Sequence, residues 1–122
     1  MMNKEKPYTD LIIIEKYEKF LNYMYPIAQN IPRKHGIMKE MFIHSLLEQV
    51  KLFSIAGKSN QISKLYMCDA GLQELRFWLR FMEDSNRKMI TQKQHQVSSL
   101  QLEEVGKILG KWIKSLNKNK VE

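Results

Sequence analysis

Apolar residues recur along the chain at alternating steps of three and four, the spacing of one helix face. Ile14, Tyr17, Leu21, Met24 and Ala28 form such a row, as do Leu65, Cys68, Leu72, Leu75, Leu79 and Met82. Leu102, Val105, Leu109, Trp112 and Leu116 form a third. Between the first two rows Met38, Phe42, Leu46 and Val50 step by four, with Leu47, Leu52, Phe53 and Ile55 widening the stripe. No segment sustains a period of two, so the pattern predicts helices and no sheet. Thr9 and Asp10 stand where a cap would open the first helix. Asn30-Ile31-Pro32 closes it, because proline donates no amide hydrogen and restrains the residue before it. Gly57 suits the left-handed residue after a second helix, Ser59 a cap for the third, and Thr91 with Gln94 a capping box for the fourth. The predicted spans are about 10–29, 34–56, 59–84 and 91–117, with Pro26 bending the first. Helices of similar length on short connections predict an all-α, antiparallel up-down four-helix bundle, one domain over residues 1–122.

The third helix departs from the two-sided pattern of a bundle helix. Leu75-Arg76-Phe77-Trp78-Leu79-Arg80-Phe81-Met82 is apolar nearly all round, and Phe77 and Phe81 fall away from the core row. A helix of that kind is buried on more than one side, which predicts an oligomer contact through Phe77, Trp78 and Phe81. Arg76 and Arg80 lie one turn apart, and their planar forks suit two-point binding of phosphate or carboxylate. The plainer reading pairs them with Glu83 or Asp84. In the fourth helix Gly106 and Gly110 predict the close approach of another helix, since each costs ~1 kcal/mol against Ala unless packing returns it. Lys107, Lys111, Lys114 and Lys118 make a basic stripe whose spacing suits successive phosphates, or simply a solvated face. Arg33, Lys34 and His35, with Lys39 a turn later, form another cationic cluster, and Lys58 and Lys64 flank the start of the third helix.

Charge sharpens this picture. Lys and Arg number 20 against 13 Asp and Glu, a net +7 carried mostly by residues 31–60 and 91–122. Such a surplus favours anionic partners, nucleic acid or acidic protein patches. The longest aliphatic run, Leu11-Ile12-Ile13-Ile14, is far below the ~20 residues of a membrane span, and no apolar leader follows Lys4 and Lys6. A cytoplasmic protein with no membrane partner is therefore expected. Catalysis finds little support. His35, His44 and His95 lie on separate segments, Met41 stands where a di-iron bundle would place Glu, and Cys68 belongs to a core row. No catalytic residue, metal or cofactor is predicted, and the eight methionines read as core filler.

Four strings resemble one family: Tyr25-Pro26-Ile27-Ala28-Gln29-Asn30-Ile31-Pro32-Arg33-Lys34-His35-Gly36, Ala56-Gly57-Lys58-Ser59-Asn60-Gln61, Leu75-Arg76-Phe77-Trp78-Leu79-Arg80-Phe81 and Glu104-Val105-Gly106-Lys107-Ile108-Leu109-Gly110. They are similar to those of the accessory variability determinant (Avd) proteins of diversity-generating retroelements, and the similarity runs over about residues 11–116. The resemblance implies a non-enzymatic four-helix bundle that assembles as a homopentameric barrel. It implies binding to the element's reverse transcriptase and to nucleic acid, in support of mutagenic copying of a template RNA into cDNA. Arg76 and Arg80 match the family's paired arginines, which makes them candidates for the transcriptase contact. The alternatives are a bundle of the type encoded in ribosomal-RNA intervening sequences, or a scaffold serving protein assembly alone.

Overall fold

Each predicted helix forms, and the facing ends of the second and third are displaced by local contacts. The computed structural model of the chain describes the backbone of residues 5–121 and the side chains of residues 12–118. Helix α1 spans Glu5–Gln29, α2 Gly36–Ser59, α3 Ile62–Glu83 and α4 Gln92–Val121, with a single 3-10 turn at Arg33–His35 before α2. No strand occurs among the described residues. Consecutive helices pack together and α1 closes against α4, while the backbones of the diagonal pairs α1–α3 and α2–α4 make no close approach among the described residues. This is the ring of contacts that an up-down-up-down bundle makes.

The rows predicted for α3 and α4 are buried as read, from Leu65 to Met82 and from Leu102 to Trp112, with Leu116 half-buried at the end. In α1 the core row is Ile13, Tyr17, Phe20, Met24 and Ala28, so Ile14 and Leu21 stand one position off and are only half-buried. In α2 it is Phe42, Leu46, Gln49, Phe53 and Ala56, while Leu47 and Ile55, expected in the stripe, are exposed. Tyr17 hydroxyl donates to the Leu46 carbonyl at 2.6 Å, which satisfies the phenol in the core. Met24 and Met82 do fill the core, but Met41 and Met67 are about half exposed, so the methionines are not all filler.

The connections explain the shifted ends. The α1 terminus falls before Asn30-Ile31-Pro32 as predicted, and the Lys39 ammonium closes it by donating to the Gln29 and Ile31 carbonyls at 2.8 and 3.1 Å. Helix α2 runs past Gly57, which is buried within it, and Asn60 takes the left-handed conformation at φ 53°, donating its amide to the Ala56 carbonyl at 2.7 Å. Ser59 is therefore the last residue of α2 rather than a cap of α3. Gln61 occupies that cap position with no side-chain bond to the helix. Between α3 and α4 the Asp84 carbonyl accepts from the Arg87 and Lys88 amides, Lys88 sits at φ 51°, and Met89 returns to the Met82 carbonyl at 2.9 Å. The capping box then opens α4 as read. Thr91 amide donates to Gln94 Oε1 at 2.9 Å and Gln94 amide to Thr91 Oγ1 at 3.0 Å. Helix α1 begins at Glu5, so Thr9 and Asp10 lie within it, and any capping by their side chains lies outside the described residues.

Candidate functional site

Helix α3 carries the candidate site because its outer side is aromatic and its α4 flank is cationic. Trp78 leans towards α2: Glu74 of α3 accepts from its ring nitrogen at 3.4 Å and from the Ser45 hydroxyl of α2 at 2.8 Å. Phe77 and Phe81 complete a cluster with it, ring centroids 5.2 to 6.1 Å apart and mostly edge to face. Trp78 and Phe81 are half-buried in this intrachain packing. Phe77 remains 48% exposed.

Nothing in the sequence singles out Arg87, yet it covers the end of the cluster. Its guanidinium lies 3.8 Å from the Phe81 ring centroid, donates to the Phe81 carbonyl at 3.2 Å and pairs with Asp84 at 3.6 Å. A polar connection has no periodicity to flag such a residue. Asp84 is thus engaged by Arg87 rather than by Arg80. Among the described residues neither Arg76 nor Arg80 has a hydrogen-bond or ion-pair partner, so the plainer salt-bridge reading of that pair does not hold.

The two arginines differ in setting. Arg80 is exposed, whereas Arg76 is half-buried with its fork against the backbone of α4. A β-carbon on Gly106 would stand 2.7 Å from Arg76 Nη2, while one on Gly110 would meet nothing within 4 Å. Within the chain a close approach is made at Gly106, by a side chain, and none is made at Gly110.

The remaining cations separate into two ends. Arg33 and Lys34 are exposed and line a groove with Ile37, Met41 and Phe77. Lys39, predicted beside them, is committed to the α1 terminus. Lys58 and Lys64 lie at the other end of α2, whose 24 residues span about 36 Å. There Trp112 donates its ring N–H to Asn60 Oδ1 at 3.2 Å, which brings the C-terminal half of α4, with Lys111 and Lys114, to the α2–α3 turn. At ~100° per residue, Lys107, Lys111, Lys114 and Lys118 point directly away from the buried row of α4, and all four are exposed.

Exposed large apolar side chains are unevenly spread. Ile37, Met41, Leu47 and Ile55 of α2 and Tyr66, Met67 and Phe77 of α3 are seven of the eight, Leu100 of α4 being the other. Ile37 and Met41, one turn apart and off the Phe42–Leu46 row, are the sequence signal for this face. The mid-groove between α2 and α3 is acidic, lined by Glu40, Glu48 and Glu74. Buried polar chemistry is confined to packing. Gln49 donates to the Cys68 carbonyl at 2.9 Å and occupies the space a side chain on Gly71 would need. The Cys68 thiol is pushed up to about 12, by burial first and the Asp69 charge second, which makes it a poor nucleophile. No group of three His, Cys, Asp or Glu among the described residues could hold a metal, and no described helix is long and apolar enough to cross a membrane.

No curated protein matches the chain. A family model described as bAvd-like matches residues 11–116, nearly the whole bundle and every element of the site just described, and the chain belongs to that family.

Proposed function

We propose that this protein is a non-enzymatic accessory component of a diversity-generating retroelement. It binds the element's reverse transcriptase together with template RNA or cDNA and so supports mutagenic copying. Membership of the bAvd-like family carries the reading. The arrangement of cations supports it: the Arg76–Arg80 pair, without a partner among the described residues, stands beside an aromatic cluster, a surface of the kind that anchors protein interfaces. The lysine row of α4 faces outward with little apolar surface near it, which suits a polyanion. In this reading the chain works as a homo-oligomer, a pentamer by family resemblance, assembled through the apolar side of α2 and α3. Repetition of weak basic sites around a ring then supplies avidity.

The test is capture of the transcriptase by the Arg76→Ala, Arg80→Ala double variant. Capture should be lost while circular dichroism and oligomer size stay native. Undiminished capture overturns the assignment of this pair. The concentration of exposed apolar residues on α2 and α3 equally favours a scaffold for protein assembly alone. That reading requires no binding to structured RNA or DNA even at low salt, about 50 mM, where phosphate contacts are strongest.

A further inference from the structure

We infer that Gly106 is a positioning residue for the transcriptase contact: its missing side chain is the notch that holds the Arg76 guanidinium beside Arg80. The inference rests on the function proposed above and adds to it a residue on a different helix. Arg76 leaves α3 on the α4 flank, and its Nη2 lies where a β-carbon of Gly106 would press to 2.7 Å, with Cζ at 3.9 Å. The fork therefore lies along the α4 backbone, half-buried, with no acceptor from the described residues. A guanidinium has five N–H donors and no means of losing its charge, so a half-buried one left without acceptors is set up to receive an anion. Arg80, one turn further along α3 and also unpartnered, supplies the second cation.

The chemistry favours a carboxylate on a protein over a phosphate on nucleic acid. Phe77 and Trp78 lie between the two arginines in the sequence, and mixed aromatic and arginine surfaces form the cores of protein interfaces. The lysine row of α4 has the plain cationic character that a phosphate backbone selects. The fork held at Gly106 is thus assigned to an Asp or Glu of the transcriptase, bound in two-point fashion.

Gly110 provides an internal control, since it lies one turn along the same helix with open space around it. A methyl at position 106 displaces only the flexible end of Arg76, so Gly106→Ala should keep the fold and melt no lower than the parent. It should weaken transcriptase binding about tenfold, and Arg76→Ala should do the same. Gly110→Ala should leave binding unchanged, and neither variant should alter affinity for a single-stranded oligonucleotide. On the Arg76→Ala background Gly106→Ala should have no further effect, because both act through one group. Additive losses, or full binding by Gly106→Ala, would overturn the inference while leaving the arginine pair intact. Full binding by the arginine double variant would instead overturn the assignment of the pair to the transcriptase contact, the part of the functional reading on which this inference rests. A loss of oligonucleotide binding in Gly106→Ala would reassign the notch to phosphate and overturn the carboxylate.

Discussion

Two residues with side chains, Asn60 and Lys88, hold the left-handed conformations that turn this chain, and no glycine does. Asn tolerates that region because its short polar side chain bonds locally. Here Asn60 also accepts from Trp112, tying the α2 terminus to α4 at 3.2 Å. Lys88 has no such compensation from its side chain among the described residues. The left-handed strain of ~1–2 kcal/mol exceeds the unfolded-state cost of a glycine, so Lys88→Gly should stabilise the protein by about 0.5–1 kcal/mol. Asn60→Gly should bring no gain, because it deletes the acceptor for Trp112. A urea titration reads both as changes in midpoint at constant slope. The sequence points to Gly57 for the left-handed role, and packing overrides it. Gly57 is buried within α2, and the helix continues until Asn60 can close it onto Ala56.

At the scale of the helix, the capping box at Thr91 is legible because the two partners are three residues apart and need nothing else. Thr91→Ala should cost about 1 kcal/mol and Thr91→Ser almost nothing, measured as thermal stability with α4 helicity followed by circular dichroism. Features of this local kind carry over well: the proline stop after α1, the heptad rows of α3 and α4, and the burial of Cys68. Features made between positions distant in sequence do not. Glutamine at position 49 reads as polar and therefore outward, yet it is buried because Gly71, 22 positions on, leaves room for its amide. In the row of α1 Tyr17, Met24 and Ala28 hold, while Ile13 replaces Ile14 and Phe20 replaces Leu21, since these neighbours are all apolar and only packing chooses between them. At the candidate site the arginine pair and the aromatic run can be read directly. The seat of Arg76 on Gly106, the capture of Lys39 by the α1 terminus and the cover of Phe81 by Arg87 cannot, since each joins two elements.

For the whole molecule, the unequal division of apolar and cationic surface leads to the most demanding prediction. Helices α2 and α3 carry seven of the eight exposed large apolar residues, and the α4 lysines face away from the core on another helix. Assembly and polyanion binding can then be separated by substitution. Ile37→Glu with Phe77→Glu places two charges on the face through which the proposed oligomer would associate, and should reduce it to monomers of native helicity. Lys107, Lys111 and Lys114, each changed to Gln, should leave the oligomer intact and lower affinity for RNA or DNA. The slope of log affinity against log salt should become shallower by ~0.7–0.9 for every phosphate that a bound copy no longer neutralises. Light scattering and fluorescence anisotropy read the two arms independently. If the charge variants on α2 and α3 remain oligomeric, another face makes the assembly. Should the lysine variants keep both affinity and salt slope, the stripe is only a solvated face, and the anion sites must lie with Arg33 and Lys34 at the other end of the bundle. In the proposed ring the +7 charge would repeat with every copy, so a monomeric variant should lose more nucleic-acid affinity than its own unaltered cations would suggest. That coupling is what distinguishes a collar that works by repetition from a bundle that binds one strand at a time.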